Sequence, residues 1–152
     1  MKNKVIIAGS RDIDDCDLVF ELIKHSRIRI DEIVCGQAAG VDTCGMYYGF
    51  DHMIPIKYFP ANWKKHGKAA GPIRNSEMVE YCTHGIYVIN NHSSGSMDCL
   101  RKIKASLKPF IAYHLINGIL HYVETNSEKF DEYDLAVDLL RRSLIKTETT
   151  KI

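Results

Sequence analysis

The sequence predicts an α/β fold: a Rossmann-like, open, mostly parallel sheet with helices on both faces. Short apolar runs rich in β-branched residues alternate along the chain with segments of helical period. These runs are almost continuously apolar, which is typical of strands that are buried on both faces. One pair, Asn117-Gly118, stands between two further apolar runs and favours a two-residue hairpin turn.

Five of the apolar runs are predicted to be strands separated by helices. They cover residues 4–8, 32–35, 54–59, 85–89 and 109–115. A sixth strand, residues 119–123, follows the Asn-Gly pair and is expected to return as an antiparallel edge strand.

The helices are predicted in the intervals between strands. Asp14 is expected to cap the first, and the second ends at about Phe50. The third covers about residues 72–81, with Pro72 at the permitted first position, and the fourth covers residues 97–106. A last helix, about residues 129–145, carries one apolar stripe formed by Tyr133, Ala136, Leu140 and Leu144.

Length and composition indicate a single globular domain over residues 1–152. Apolar residues make up 45% and charged residues 26% of the chain, as in ordinary globular proteins. Residues 146–152 are polar and are expected to form a flexible tail.

Twenty basic and nineteen acidic residues give a net charge of +1, which argues against a nucleic-acid partner. No apolar run approaches the roughly 20 residues of a membrane span, and the first residues lead directly into a strand, so a cytoplasmic protein is expected.

The cysteines and histidines predict neither a metal site nor a disulfide framework. Five cysteines are an odd number and form no CxxC pair, and the seven histidines form no HxxxH or HExxH pair. Most cysteines are therefore expected to be reduced core residues, and no cofactor is predicted.

Four unusual loops are predicted at the carboxyl edge of the sheet, where ligands bind in folds of this class. The first loop covers residues 9–12, the second 36–42, the third 67–78 and the fourth 90–96. They contribute thirteen candidate ligand-binding residues: Gly9, Ser10, Arg11, Asp12, Gly36, Gln37, Gly40, Asp42, Arg74, Asn75, Ser93, Gly95 and Ser96. Each loop alone reads equally well as a plain connector, and neither GxGxxG nor a P-loop is present. Helix N-termini and arginines meeting at one edge nevertheless favour a phosphate-bearing small molecule.

Specific roles are predicted for a few of these residues. Arg11 and Arg74 suit bidentate contacts with phosphate, and Arg74 and Asn75 are expected in the first turn of their helix. Asn75 suits a ribose hydroxyl or a base edge, with a local structural role as the alternative. Trp63 is a candidate stacking wall for a base, whereas Phe59 is expected in the core.

Four segments resemble successive signatures of the SLOG superfamily. They are VIIAGSRD (5–12), VCGQAAGVD (34–42), FPANWKKHGKAAGPIRNSEM (59–78) and SSGSMDCL (93–100). The resemblance is to the YspA-like branch, related to a circularly permuted YpsA, and spans about residues 4–115, leaving about 116–145 as an extension. It implies a Rossmann-like domain that binds nucleotides or nucleotide-derived ligands. Relatives include the LOG nucleoside-monophosphate phosphoribohydrolases, DprA and sensors of ADP-ribose-type signals.

Departures from this pattern bear on catalysis. Gln37 replaces a glycine of the branch, and Ala39 replaces an arginine, so one phosphate contact is missing. LOG enzymes have a glutamate where this chain has Cys99, and the neighbouring Asp98 would point about 100° away around the helix. Asp42, Glu77 and Asp98 are the remaining carboxylates near the predicted cleft. Asp98 and Glu77 are expected on a solvated face, and Asp42 suits a helix-start hydrogen bond as well as ligand contact.

These observations leave three functions open. The first is capture of a nucleotide or ADP-ribose-type molecule by a sensor or sequestering protein. The second is an N-glycosidase acting on a nucleoside 5′-monophosphate through Asp98 or Asp42. The third is a DprA-like nucleic-acid accessory protein. A homo-oligomer is expected, since the resemblance implies pairing and symmetric assembly is common among soluble proteins.

Overall fold

The computed structural model describes residues 1–127, which form one six-stranded sheet flanked by helices. The strands are β1 Lys4–Gly9, β2 Glu32–Cys35, β3 Ile56–Tyr58, β4 His84–Asn90, β5 Phe110–Ile116 and β6 Ile119–Thr125. The helices are α1 Cys16–His25, α2 Val41–His52, α3 Trp63–His66, α4 Ala70–Tyr81 and α5 Ser94–Ser106, with a 3₁₀ turn, Gly67–Ala69, between α3 and α4.

The strand order explains where a cleft opens. The order is β3-β2-β1-β4-β5-β6, and every neighbouring pair is parallel except β5 and β6. From β1 the chain first builds outward to β2 and β3, and then crosses to β4 on the other side. The loops after β1 and β4 therefore diverge at this switch point, which is where ligands bind in open α/β sheets. The predicted fold class is confirmed.

Helices bury both faces of the sheet. Side chains of β1 alternate between two clusters, with Val5 and Ile7 in one and Ile6 and Ala8 in the other. The first cluster packs against α1 and α2, and the second packs against α4 and α5. This two-sided burial accounts for the nearly continuous hydrophobicity of the strands.

Several predicted helix starts are wrong by a few residues. Asp15, not Asp14, caps α1, because its Oδ1 accepts a hydrogen bond from the Leu18 amide at 3.1 Å. The α4 helix begins at Ala70, which makes Pro72 its third residue. Proline is compatible with that position because first-turn amides lack helical partners. The α5 helix begins at Ser94, so the end of the fourth loop is the helix's first turn.

The predicted hairpin is confirmed. Asn117 and Gly118 both have positive φ angles, 50° and 79°, as a type I′ turn requires. Strand β6 follows at the sheet edge and pairs antiparallel with β5. The predicted helix at residues 129–145 and the tail after it lie outside the described residues. Within the described part of the chain, no helix has the length and apolar character needed to cross a membrane.

One pair of cysteines departs from the expectation of no disulfide framework. Cys16, the first residue of α1, and Cys44, in the first turn of α2, form a disulfide bond, with their Cα atoms 5.1 Å apart. Packing of α1 against α2 brings together two cysteines 28 residues apart, a separation that no short motif reveals. The other three cysteines, Cys35, Cys82 and Cys99, are free and buried, as expected.

Candidate functional site

A cavity of about 880 Å³ lies at the carboxyl edge of the sheet, between the ends of β1 and β4 and the helices α4 and α5. Its volume falls within the range of roughly 300–1,000 Å³ that is usual for small-molecule sites. It is lined by Ala8, Gly9, Arg11, Asp12, Ala38, Asp42, Trp63, Lys68, Gly71, Pro72, Arg74, Asn75, Met78, Asn90, Asn91, Ser93, Ser94, Gly95, Ser96, Asp98, Cys99 and Arg101.

The first and fourth loops are joined behind this cavity by Ser10. Its side chain is buried, its Oγ lies 2.6 Å from Ser93 Oγ, and it accepts a hydrogen bond from the Asn90 amide at 2.7 Å. A second hydrogen bond joins the two loops: Asp12 Oδ2 accepts from Asn90 Nδ2 at 3.2 Å. Ser10 is absent from the lining, so its position is structural: it fixes the two loops against each other.

The second loop crosses closely over the first. Gly40 has φ 74° and ψ −125°, and a Cβ at this position would lie 2.3 Å from the carbonyl oxygen of Ser10. The next residue, Val41, donates its amide to that same carbonyl at 3.2 Å. Only glycine permits both the backbone angles and the approach. Gly40 therefore supports the first loop from outside the cavity.

Asp42 is a buried carboxyl group in the cavity wall. It is 4% exposed, and its Oδ2 accepts a hydrogen bond from the Ala38 amide at 3.2 Å. Burial raises the pKa of Asp42 above its ordinary value, although the Ala38 hydrogen bond and the positive charge of Arg74 oppose this effect. The hydrogen bond to Ala38 shapes the second loop, in keeping with the structural role considered for Asp42.

Arg74 is a buried guanidinium between the second and third loops. It is 9% exposed, its Nη1 donates to the carbonyl of Gly36, and its Nε donates to Asn75 Oδ1 at 3.1 Å. A Cβ on Gly36 would lie 2.7 Å from Nη1, so only glycine leaves room for this contact. Among residues 1–127, Nη2 has no hydrogen-bond partner. Arg74 thus brings a positive charge and an unused donor to the cavity.

Asn75 connects α4 to α5. Its Nδ2 donates to the carbonyl of Gly95 at 3.2 Å and to Asp98 Oδ2 at 3.1 Å. The prediction that Arg74 and Asn75 occupy the first turn of their helix is wrong, because the earlier start of α4 places both in its second turn. Their side chains, rather than free helix amides, supply the polar groups at this wall.

Asp98 is not on a solvated face, contrary to the expectation for it. It lines the cavity and contacts Asn75, and it forms ion pairs with Arg101 at 2.8 Å and Lys102 at 2.9 Å. Burial alone would raise the pKa of Asp98, but hydrogen bonds from Lys102 and Asn75 outweigh it and hold the pKa below its ordinary value. Cys99 lies beside it, and burial raises the pKa of its thiol to about 12. Glu77 is exposed and lies outside the lining.

A smaller cavity of about 360 Å³ adjoins the large one. It is lined by Arg11, Gly36, Gln37, Ala38, Pro60, Ala61, Trp63 and Arg74. Trp63 is 51% exposed, and the guanidinium carbon of Arg11 lies 5.9 Å from the centre of its ring. Phe59 lines neither cavity and packs against Tyr81 instead, with ring centres 5.4 Å apart.

The structure brings most of the predicted residues to one place. Ten of them line the large cavity: Gly9, Arg11, Asp12, Asp42, Trp63, Arg74, Asn75, Ser93, Gly95 and Ser96. Gly36 and Gln37 line only the smaller cavity, and Ser10 and Gly40 line neither. Sequence reasoning missed Lys68 and Arg101 in the lining. Lys68 stands in the same glycine-rich passage as Arg74, whereas Arg101 carries no local signal, because its position depends on how α5 packs.

Comparison with known proteins agrees with this architecture. DNA processing protein A (DprA) from Streptococcus pneumoniae is similar in structure, with a TM-score of 0.59 and 16% sequence identity. The similarity covers 74% of this chain and 50% of the DprA chain, so the comparison extends over about half of DprA. At this identity the likeness concerns the fold alone. A search of curated proteins found no match.

The sequence also matches a protein family. Residues 3–66, which include β1, α1, β2, α2 and the first two loops, match the family described as YAcAr: YspA, cpYpsA-related SLOG family. The stretch GPIRN, residues 71–75 of the third loop, lies beyond the matched residues. Over residues 3–66 the chain is therefore similar to the YspA, cpYpsA-related SLOG family.

Proposed function

We propose that this chain binds a nucleotide-derived, phosphate-bearing small molecule of the ADP-ribose type and holds it intact, as a sensor or a sequestering protein. One observation carries the proposal: the buried guanidinium of Arg74 presents an unused donor to a cavity at the switch point of the sheet. Burying a cation costs free energy unless it is paired or hydrogen-bonded, and an anionic ligand would complete its partners.

Further cations in the lining support a phosphate-bearing ligand. Arg11 and Lys68 face the same cavity, and neither forms a salt bridge with any residue in the described range 1–127. Arg101, by contrast, is paired with Asp98. Charge-assisted hydrogen bonds from arginine to phosphate are among the stronger polar contacts in proteins. The net charge of +1 supplies no broad field, so attraction for an anion is concentrated at this edge.

The state of the carboxyl groups supports capture rather than cleavage. Hydrolysis of a glycosidic bond needs a carboxylate that is free to stabilise positive charge or to activate water. Asp98 accepts from Asn75, Arg101 and Lys102, which occupy both of its oxygens. Cys99, with its pKa of about 12, remains a neutral thiol. Neither group suits the chemistry that the resemblance to LOG enzymes suggests.

The N-glycosidase alternative retains one supporting observation. Asp42 is a buried carboxyl group with a raised pKa in the cavity wall, and such groups are over-represented at catalytic sites. Mass spectrometry after incubation with AMP or ADP-ribose separates the two functions. Intact ligand agrees with capture. Release of free base by the wild type would favour the enzyme, provided that the Asp42→Asn variant releases none.

Replacing Arg74 is expected to weaken binding strongly. The Arg74→Ala variant should bind ADP-ribose with an affinity lower by roughly 1.5–3 kcal/mol, because a charge-assisted hydrogen bond is lost. Gly36→Ala should also weaken binding, since its Cβ would displace Nη1 of Arg74. Isothermal titration calorimetry measures both effects, with circular dichroism as the check on folding.

Arg29→Ala is a matched control. Arg29 is an exposed arginine that pairs with Asp31 and lines neither cavity, so its removal should leave the affinity for ADP-ribose unchanged. If folded Arg74→Ala and Gly36→Ala bind as tightly as the wild type, Arg74 does not contact the ligand.

A further inference from the structure

The two cavities are separated by side chains that belong to both. Arg11, Ala38, Trp63 and Arg74 line the large cavity and the smaller one alike. A ligand that reaches this shared wall from the large cavity therefore has a second space directly beyond it. The smaller cavity has a volume of about 360 Å³, compared with about 880 Å³ for the large cavity, so it suits a compact chemical group.

The charges at the shared wall suit two linked phosphates. Arg11 and Arg74 both stand there, and neither forms a salt bridge within the described part of the chain. Arg74 is held by hydrogen bonds to the Gly36 carbonyl and to Asn75 Oδ1, whereas Arg11 is exposed and lies over the ring of Trp63. Two guanidinium groups on one wall match two adjacent anionic groups better than a single phosphate.

The residues that line only the smaller cavity are polar or small. Beyond the shared wall, the lining residues are Gly36, Gln37, Pro60 and Ala61. Gln37 is exposed and has a φ of 59°, and Ala61 follows β3. The amide side chain of Gln37 suits hydroxyl groups, and the small side chain of Ala61 leaves the volume open.

We propose that the smaller cavity is a second subsite, which takes a sugar attached beyond the second phosphate of a nucleoside diphosphate. The nucleoside occupies the large cavity, the diphosphate contacts Arg11 and Arg74, and the distal sugar lies beside Gln37. This assignment rests on the proposed function and deepens it, because it says where the distal sugar of an ADP-ribose-type ligand lies and which residues recognise it.

The test compares ADP-ribose with ADP, which lacks the distal sugar and carries one more negative charge on its free terminal phosphate. That extra charge would favour ADP at Arg11 and Arg74, so a preference for ADP-ribose reports on the sugar. Wild-type protein is expected to bind ADP-ribose at least about tenfold more tightly than ADP in calorimetric titrations. Ala61→Trp fills the smaller cavity, so it should lower the affinity for ADP-ribose to that for ADP and leave ADP within about twofold of the wild type. Gln37→Ala, a milder change on the same wall, should reduce the preference for ADP-ribose in the same direction.

Ala105→Trp is the matched control, because Ala105 is an exposed residue of α5 outside both cavities. It should leave both affinities unchanged. Equal affinities of wild-type protein for ADP-ribose and ADP would overturn the subsite, as would an undiminished preference in folded Ala61→Trp and Gln37→Ala. Failure of wild-type protein to bind ADP-ribose, ADP or AMP would instead overturn the proposed function itself, and the subsite with it.

Discussion

The Gly40→Ala variant is expected to lose about 3 kcal/mol or more of unfolding free energy. A Cβ at residue 40 would lie 2.3 Å from the carbonyl oxygen of Ser10 and 2.7 Å from the backbone of Arg11. Alanine also pays conformational strain at φ 74° and ψ −125°. Strained backbone angles cost roughly 1–3 kcal/mol, and overpacking typically costs a further 1–3 kcal/mol. Urea unfolding followed by circular dichroism measures the change.

Gly95→Ala provides the comparison. Gly95 is in the first turn of α5, and a Cβ there would meet no atom within 4 Å. Alanine is favoured over glycine in helices, so this variant should be as stable as the wild type or slightly more stable. Equal stabilities of the two variants would mean that the first and second loops do not cross as closely as described.

Loss of the disulfide between Cys16 and Cys44 should lower stability by about 3.5 kcal/mol. The bond closes a segment of 28 residues, and the chain-entropy relation for a loop of that length gives this value at 25 °C. The double variant Cys16→Ala/Cys44→Ala removes the bond without leaving an unpaired thiol. Its urea midpoint, compared with that of oxidised wild-type protein, gives the effect.

Reduction of the wild type is the internal control. Dithiothreitol should lower the unfolding free energy of the wild type towards that of the double variant, and it should leave the double variant unchanged. The free cysteines Cys35, Cys82 and Cys99 are present in both proteins, so they do not account for a difference. If dithiothreitol has no effect on the wild type, the bond is absent from the protein in solution.

Local sequence signals were sufficient to predict the strands and the hairpin of the sheet. Continuous β-branched runs identified the strands, as in β1, and Asn117-Gly118 determined the hairpin through its own backbone angles. The segment 63–71 was harder, because two glycines and a lysine-rich stretch read as a loop. In the structure Asn62 caps a short helix there by accepting from the Lys65 amide at 3.1 Å, and the chain then winds directly into α4.

Features that depend on packing between distant segments could not be predicted. Asp98 turns towards the cavity because Asn75, 23 residues away, donates to it, and no spacing rule within α5 reveals that contact. The disulfide depends in the same way on how α1 lies against α2. The candidate residues were found because glycines, arginines and hydroxyl groups gather after strands. Their separation into lining residues and supporting residues required the tertiary contacts.

The position of Trp63 has a practical consequence. It is the only tryptophan in the chain, it is half exposed, and it stands in the wall between the two cavities with Arg11 above its ring. Indole emission depends on local polarity and on nearby charged or quenching groups. The protein therefore carries its own optical reporter where a nucleobase or a phosphate would arrive, so that occupancy can be followed by fluorescence in unlabelled wild-type material.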